Sequence, residues 1–127
     1  MELSELVPSE RTIEITNPAT DADIGVKVTL MSVNDPRMKR IKNRISDESL
    51  RLDAKGKHLK SKDIEENSYE IVFSSMTGWQ WDKKVKWNGK ENPEFNRKNV
   101  FDVLEKLPWF KSQIEEVLND EKSFFIV

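Results

Sequence analysis

The sequence predicts an α+β fold: an N-terminal β-hairpin followed by about four α-helices in one helix-dominated domain. Three observations carry this. Ile13 and Ile15, then Ile24, Val26, Val28 and Leu30, recur at period two, the spacing of a half-buried strand. From Pro36 onward the apolar residues recur at spacings of three and four, the mark of amphipathic helices. The length of 127 residues suits one domain rather than two.

Residues 1–10 read as a loose leader, acidic and without an apolar core, so they are no signal peptide. Residues 12–32 form the hairpin. Thr-Ile-Glu-Ile-Thr at 12–16 is rich in β-branched residues, Asn17 to Asp23 is turn chemistry, and the second strand runs over 24–32. An isolated hairpin is only marginally stable in water. Its apolar face must therefore rest on the helices or on a second subunit.

The helical body spans 35–119. Asp35 can cap and Pro36 suits the first helical position, so a helix runs over about 36–54. Met38, Ile41, Ile45 and Leu52 mark its apolar face, and Gly56 breaks it. A second helix covers Ser61 to Thr77, with Ser61 as cap and Asp63, Glu65 and Glu66 near its positive end. Ile64, Ile71, Val72, Ser75 and Met76 make its buried stripe, and Gly78 ends it. Residues 79–95 read as irregular or briefly extended, with Asn88-Gly89 a tight turn. Trp79 and Trp87 are expected in the core, and Trp81 is open between core and surface. Asn96 caps a third helix over about 97–107, and Pro108 opens a fourth to about 119, with a bend between them. The tail, 120–127, ends Phe-Phe-Ile-Val.

Composition removes several function classes. There is no Cys and only one His, which excludes disulfides, zinc–thiolate sites and thiol nucleophiles. No glycine pattern cradles a phosphate, and no carboxylate pair is set apart for acid–base work. His58 lies in a Lys- and Gly-bearing loop and reads as a surface side chain. No cofactor, no metal and no enzyme activity are expected. No apolar run approaches membrane-spanning length, so a soluble, cytoplasmic protein is expected.

The net charge of −2 conceals a separation. Residues 1–36 carry a net −5, residues 37–62 a net +7, and residues 63–127 a net −4. The basic island can meet phosphates, an acidic partner or a second copy of the chain. A solvated helix face gives the same count.

The order of features in the C-terminal half resembles the tail assembly chaperones of long-tailed, lambda-like phages and prophages. The residues that carry it are Gly78-Trp79, Trp87-Asn88-Gly89, the run Pro93 to Val100, Leu104, Pro108-Trp109, Gln113-Ile114, Asn119-Asp120 and Phe124-Phe125. The strand, Asn17-Pro18 turn, strand and basic helix of the N-terminal half match in outline, whereas 82–86 is more charged than the family pattern. The resemblance implies a non-enzymatic protein in the bacterial host cell that binds the long tape measure protein before the tail tube assembles. It also implies a longer form, made by a −1 frameshift, that recruits tail tube subunits. Ser123-Phe124-Phe125 could overlie the slippery codons: a Ser codon ending in U followed by UUU-UUY permits the slip, and a C-ending Ser codon or UUC at Phe124 forbids it.

Such a binder needs exposed apolar surface together with charge. The candidate partner-binding residues are Arg37, Arg40 and Arg44 on the basic helix, Trp109 and Phe110 at the bend, and Phe124 and Phe125 in the tail, with Ile126 and Val127 beyond. A homo-oligomer is expected, because the hairpin is under-supported. Two alternatives stand beside this reading. One is a minor tail or connector protein of a phage. The other is a small nucleic-acid-binding regulator using the basic 37–62 segment, against which the acidic whole chain and the absence of a recognised binding motif weigh.

Overall fold

The computed structural model describes residues 2–57 and 60–125. The predicted hairpin is present as β1 (Arg11–Thr16) and β2 (Asp23–Leu30), followed by helices α1 (Lys39–Ala54) and α2 (Ser61–Ser75). Asp35 caps the turn that leads into α1, accepting the Arg37 backbone N–H at 2.9 Å. His58, read as a surface residue, lies outside the described residues.

The largest correction comes after α2. The helix stops at Ser75 rather than Thr77, and Met76–Trp81 is a strand, β3, that pairs antiparallel with β2. The hairpin is thus two thirds of a three-stranded sheet ordered β1-β2-β3. Gly78 lies inside β3 and does not end a helix. Lys60 rather than Ser61 is the α2 cap position, and its N–H donates to the Asp63 carboxylate at 3.1 Å. Ile64, expected in the buried stripe, is 58% exposed.

Register explains the sheet's two faces. Ile13 stands opposite Val28 and Val28 opposite Trp79; Ile15 stands opposite Val26 and Val26 opposite Trp81; Leu30 stands opposite Met76. Cross-strand partners share a face, so these side chains form one apolar surface. The other face carries Thr12, Thr29, Glu14, Lys27 and Gln80, with a Thr12–Thr29 hydroxyl hydrogen bond of 2.9 Å.

After β3 the chain forms a small arm, β4 (Lys86–Trp87) and β5 (Lys90–Glu91), then α3 (Arg97–Lys106) and α4 (Pro108–Leu118). Asn88-Gly89 makes the tight turn, with φ of 51° and 81°, as a two-residue hairpin of this hand requires. Asn96 caps α3 by accepting the Asn99 N–H at 2.8 Å. Pro108 opens α4 directly after Leu107, giving the expected break.

The core lies between the apolar sheet face and the helices. Val72 of α2, Val100, Val103 and Leu104 of α3, and Phe110, Ile114 and Leu118 of α4 meet Ile15, Val26, Val28 and Leu30. Gln113 of α4 fastens the end of β1: its amide accepts the Thr16 N–H at 2.9 Å and donates to the Thr16 carbonyl at 2.8 Å. The leader is tied near its end, where the Ser9 N–H donates to the Phe124 carbonyl at 2.7 Å and Glu10 pairs with Arg37 at 3.0 Å. Leu3, Leu6 and Val7 before it are exposed.

Candidate functional site

The seven residues singled out from the sequence do not converge. Arg37 is held in place: its Nε and Nη2 donate to the two Asp35 oxygens at 3.0 Å each, and Nη1 reaches Glu10 at 3.0 Å. Those hydrogen bonds raise its pKa further above an already high value. Arg44 lies 3.6 Å from Glu70 of α2, and Glu70 also pairs with Arg97 of α3. Arg40 is exposed on α1. Phe110 and Phe124, expected at the surface, are each 1% exposed and belong to the core. Their rings complete the layer between sheet and helices, where burial of a large aromatic contributes most. Phe125 and Trp109 are half-buried. Ile126 and Val127 lie outside the described residues.

Trp109 does reach a cleft that the sequence did not reveal. It is closed on one side by Asn17 and Pro18 of the β1–β2 turn with Ile24 and Val26 of β2, and on another by Trp81, Val85, Lys86 and Trp87. Leu107, Trp109 and Phe110 of the α3–α4 junction form the third wall. Its volume is about 290 Å³.

Each wall has a local cause. A bulge in β2 sits at Gly25, whose φ of +86° suits glycine. The Gly25 carbonyl accepts the Asp82 N–H at 2.7 Å and so pins the arm beside β2. The Trp87 indole donates to Asp102 at 2.9 Å, and Lys106 lies 3.1 Å from the same carboxylate. These two contacts hold the Asp102 carboxyl below its ordinary pKa. The Leu107-Pro108 junction turns Trp109 and Phe110 to the cleft.

Trp81, left open from sequence, is 7% exposed, and its indole N–H is buried with no acceptor among the described residues. An unpaired buried donor is costly and calls for an explanation. Trp79, by contrast, donates its indole N–H to the Pro93 carbonyl at 2.9 Å and meets the Phe95 ring edge-on at 5.8 Å.

Most residues that carry the family resemblance are therefore scaffold. Trp79, Pro93 and Phe95 anchor the segment before α3, Asn96 caps α3, Gln113 holds β1, and Phe124 fills the core. Trp87, Pro108 and Trp109 are the part of that set near the cleft. Among the described residues no group of three or more His, Asp or Glu side chains converges to hold a metal ion. No described helix is long and apolar enough to cross a membrane.

No protein-family model matches the chain, and no curated protein sequence or solved structure matches it either.

Proposed function

We propose that the chain is a tail assembly chaperone of a long-tailed phage or prophage, one that binds the tape measure protein during tail assembly. The cleft walled by Trp81, Trp87 and Trp109 is the observation that carries this reading. At about 290 Å³ it stands at the lower limit of pockets for small ligands, which run from about 300 to 1,000 Å³. It suits a single bulky side chain of a protein segment better than a cofactor. Aromatic walls grip such an anchor with little loss of rotamer freedom. Repeated along a long partner, one shallow anchor per copy gives avidity without a tight single site.

The tail is compatible with a longer, frameshifted form that would recruit tail tube subunits. Phe124 is the last fully buried side chain among the described residues, so an extension branching after Phe125 would leave the described core complete.

The test is co-expression with a tape measure protein, the long helical product that this reading expects of the neighbouring gene. The wild-type chain should keep that product in the soluble fraction and co-purify with it. A Trp109→Ala, Ile24→Ser variant should fold, by circular dichroism, yet lose most of the recovery. If the neighbouring product stays equally soluble without the chain, or the variant protects it fully, the reading fails. Presence of the chain in purified virions would favour a structural tail component instead.

A further inference from the structure

Helix α1 sets its charges against its own backbone. The turn before it and its first half carry Arg37, Lys39, Arg40, Lys42 and Arg44, with no acidic residue in the first turn. The N-terminal end of a helix is the positive end of its dipole and disfavours cations. No α1 residue is buried, so the arrangement is not a by-product of packing. Arg37 and Arg44 have carboxylate partners, and the Lys42 ammonium donates to the Asn34 side-chain amide oxygen at 3.5 Å. Lys39 and Arg40 have no hydrogen-bond or ion-pair partner from their side chains among the described residues. A locally unfavourable pattern without compensation inside the chain is a mark of a surface used with something else.

The same chain carries the complement. A groove of about 560 Å³ runs between α2 and α3, lined by Glu65, Glu66, Tyr69, Glu70, Phe101 and Glu105 together with Arg97. Glu66 and Glu105 have no ion-pair partner among the described residues. The field there is negative enough to act on Tyr69. Burial first, then the charge of Glu65, and further off Glu105 and Glu115, raise its hydroxyl pKa above the ordinary value. The aromatic floor already receives cations: the Arg97 guanidinium lies 4.4 Å from the Phe101 ring centre and the Lys111 ammonium 4.9 Å from that of Tyr69.

We infer that the basic first half of α1 docks in the α2–α3 groove of a second copy, with Lys39 and Arg40 meeting Glu66 and Glu105 over Tyr69 and Phe101. The two surfaces are different patches of one chain. The contact is therefore heterologous, and each added copy leaves one free surface of each sign, which builds a ring or an open chain. A second copy is favoured over a nucleic acid because the matching anionic groove is present on the chain itself, whose net charge of −2 opposes a polyanion. Exposed charges dominate the contact, so salt weakens it. The surface is separate from the Trp-lined cleft, and the inference does not rest on the function proposed above.

Sedimentation velocity on the full chain tests it, at about 50 mM and about 500 mM salt, where screening differs several-fold. Wild type should associate with rising concentration at low salt and do so about tenfold more weakly at high salt. Lys39→Glu with Arg40→Glu, or Glu66→Lys with Glu105→Lys, should each give a monomer. All four sites are exposed, and circular dichroism verifies that both variants fold. Mixed in equal amounts, the two unlike variants should associate, because the basic α1 of the groove variant meets the unaltered acidic groove of the α1 variant, and the reversed α1 meets the reversed groove. Mixing wild type with the groove variant should instead shorten the assemblies, because that variant can dock by α1 but cannot receive. A chain with all four reversals should associate again. Monomeric wild type at low salt, association that survives high salt, or a four-fold reversed chain that stays monomeric would each overturn the inference. So would wild-type retention on DNA that the Lys39, Arg40 variant loses while self-association is unchanged.

Discussion

Replacing Phe124 by alanine tests how the chain's last turn belongs to the fold. Phe124 is 1% exposed and lies in the same apolar cluster as Leu30, Leu104, Phe110 and Ile114. Truncating a buried Phe removes its transfer free energy and leaves a cavity that the rigid layer around it refills only in part. The expected loss is about 3–5 kcal/mol. For a domain of this size that corresponds to a midpoint lowered by roughly 10–20 °C, a large share of a typical stability of about 5–15 kcal/mol. The leader should loosen with it, because Ser9 binds the Phe124 carbonyl through both its backbone N–H, at 2.7 Å, and its hydroxyl, at 3.1 Å. Phe125→Ala is the control. Phe125 is half-buried, and its truncation should cost under about 1.5 kcal/mol. Urea denaturation of the three proteins gives the energies, and amide exchange at Ser9 reports the leader. A Phe124→Ala protein within about 1 kcal/mol of wild type, or a Phe125→Ala protein just as damaged, would refute the placement of Phe124 in the core.

Three further outcomes follow from the geometry. Gln113→Ala strips both partners from the Thr16 backbone and should cost about 1–3 kcal/mol, read by thermal unfolding, with faster amide exchange at Thr16. Gly25→Ala places a Cβ 3.0 Å from both Asp82 Cβ and Val85 Cγ2 at a positive φ; a loss of about 1–3 kcal/mol and a detached arm are expected, the latter seen as a change in Trp fluorescence. Asp35→Asn addresses pH. The Arg37 side chain, opposed by burial and aided by the Arg37 N–H, holds the Asp35 carboxyl below its ordinary 3.8. A depressed folded-state pKa means the stabilisation is complete above the unfolded value and is lost as pH falls through the folded one. The variant should be less stable than wild type at pH 7, and the difference should shrink as acid titrates Asp35 in the wild type; an unchanged gap at low pH would contradict the assignment.

Much of the fold was legible because burial follows periodicity. Alternation of Ile13, Ile15, Val26 and Val28 gave both hairpin strands, and Asn96 and Pro108 gave the starts of α3 and α4. The third strand was hidden by a coincidence at Met76. That residue lies four positions after Val72 and so continues the apolar stripe of α2, yet it opposes Leu30 in the sheet. A register shift then places Gly78 opposite Thr29 and leaves Thr77 as the extra residue, which breaks the period-two pattern that would have marked the strand. The Ile64 error has a related source: a helix stripe predicts which side faces inward, not how far along the helix the body extends. The cleft was the least legible part. Its walls come from three stretches far apart in sequence, and the β2 bulge and the α3–α4 junction bring Ile24, Trp87 and Trp109 together.

The two proposed surfaces use opposite physics, and this separates them in experiment as well as in space. The cleft is apolar, so occupancy there should persist or strengthen in salt that is excluded from apolar surface. The α1 patch and the α2–α3 groove meet through exposed charge, so their contact should fade over the same range. Trp81 forms part of one wall of the cleft. Its indole N–H is buried and has no acceptor among the described residues, a cost that only a partner able to repack this wall and supply an acceptor would relieve.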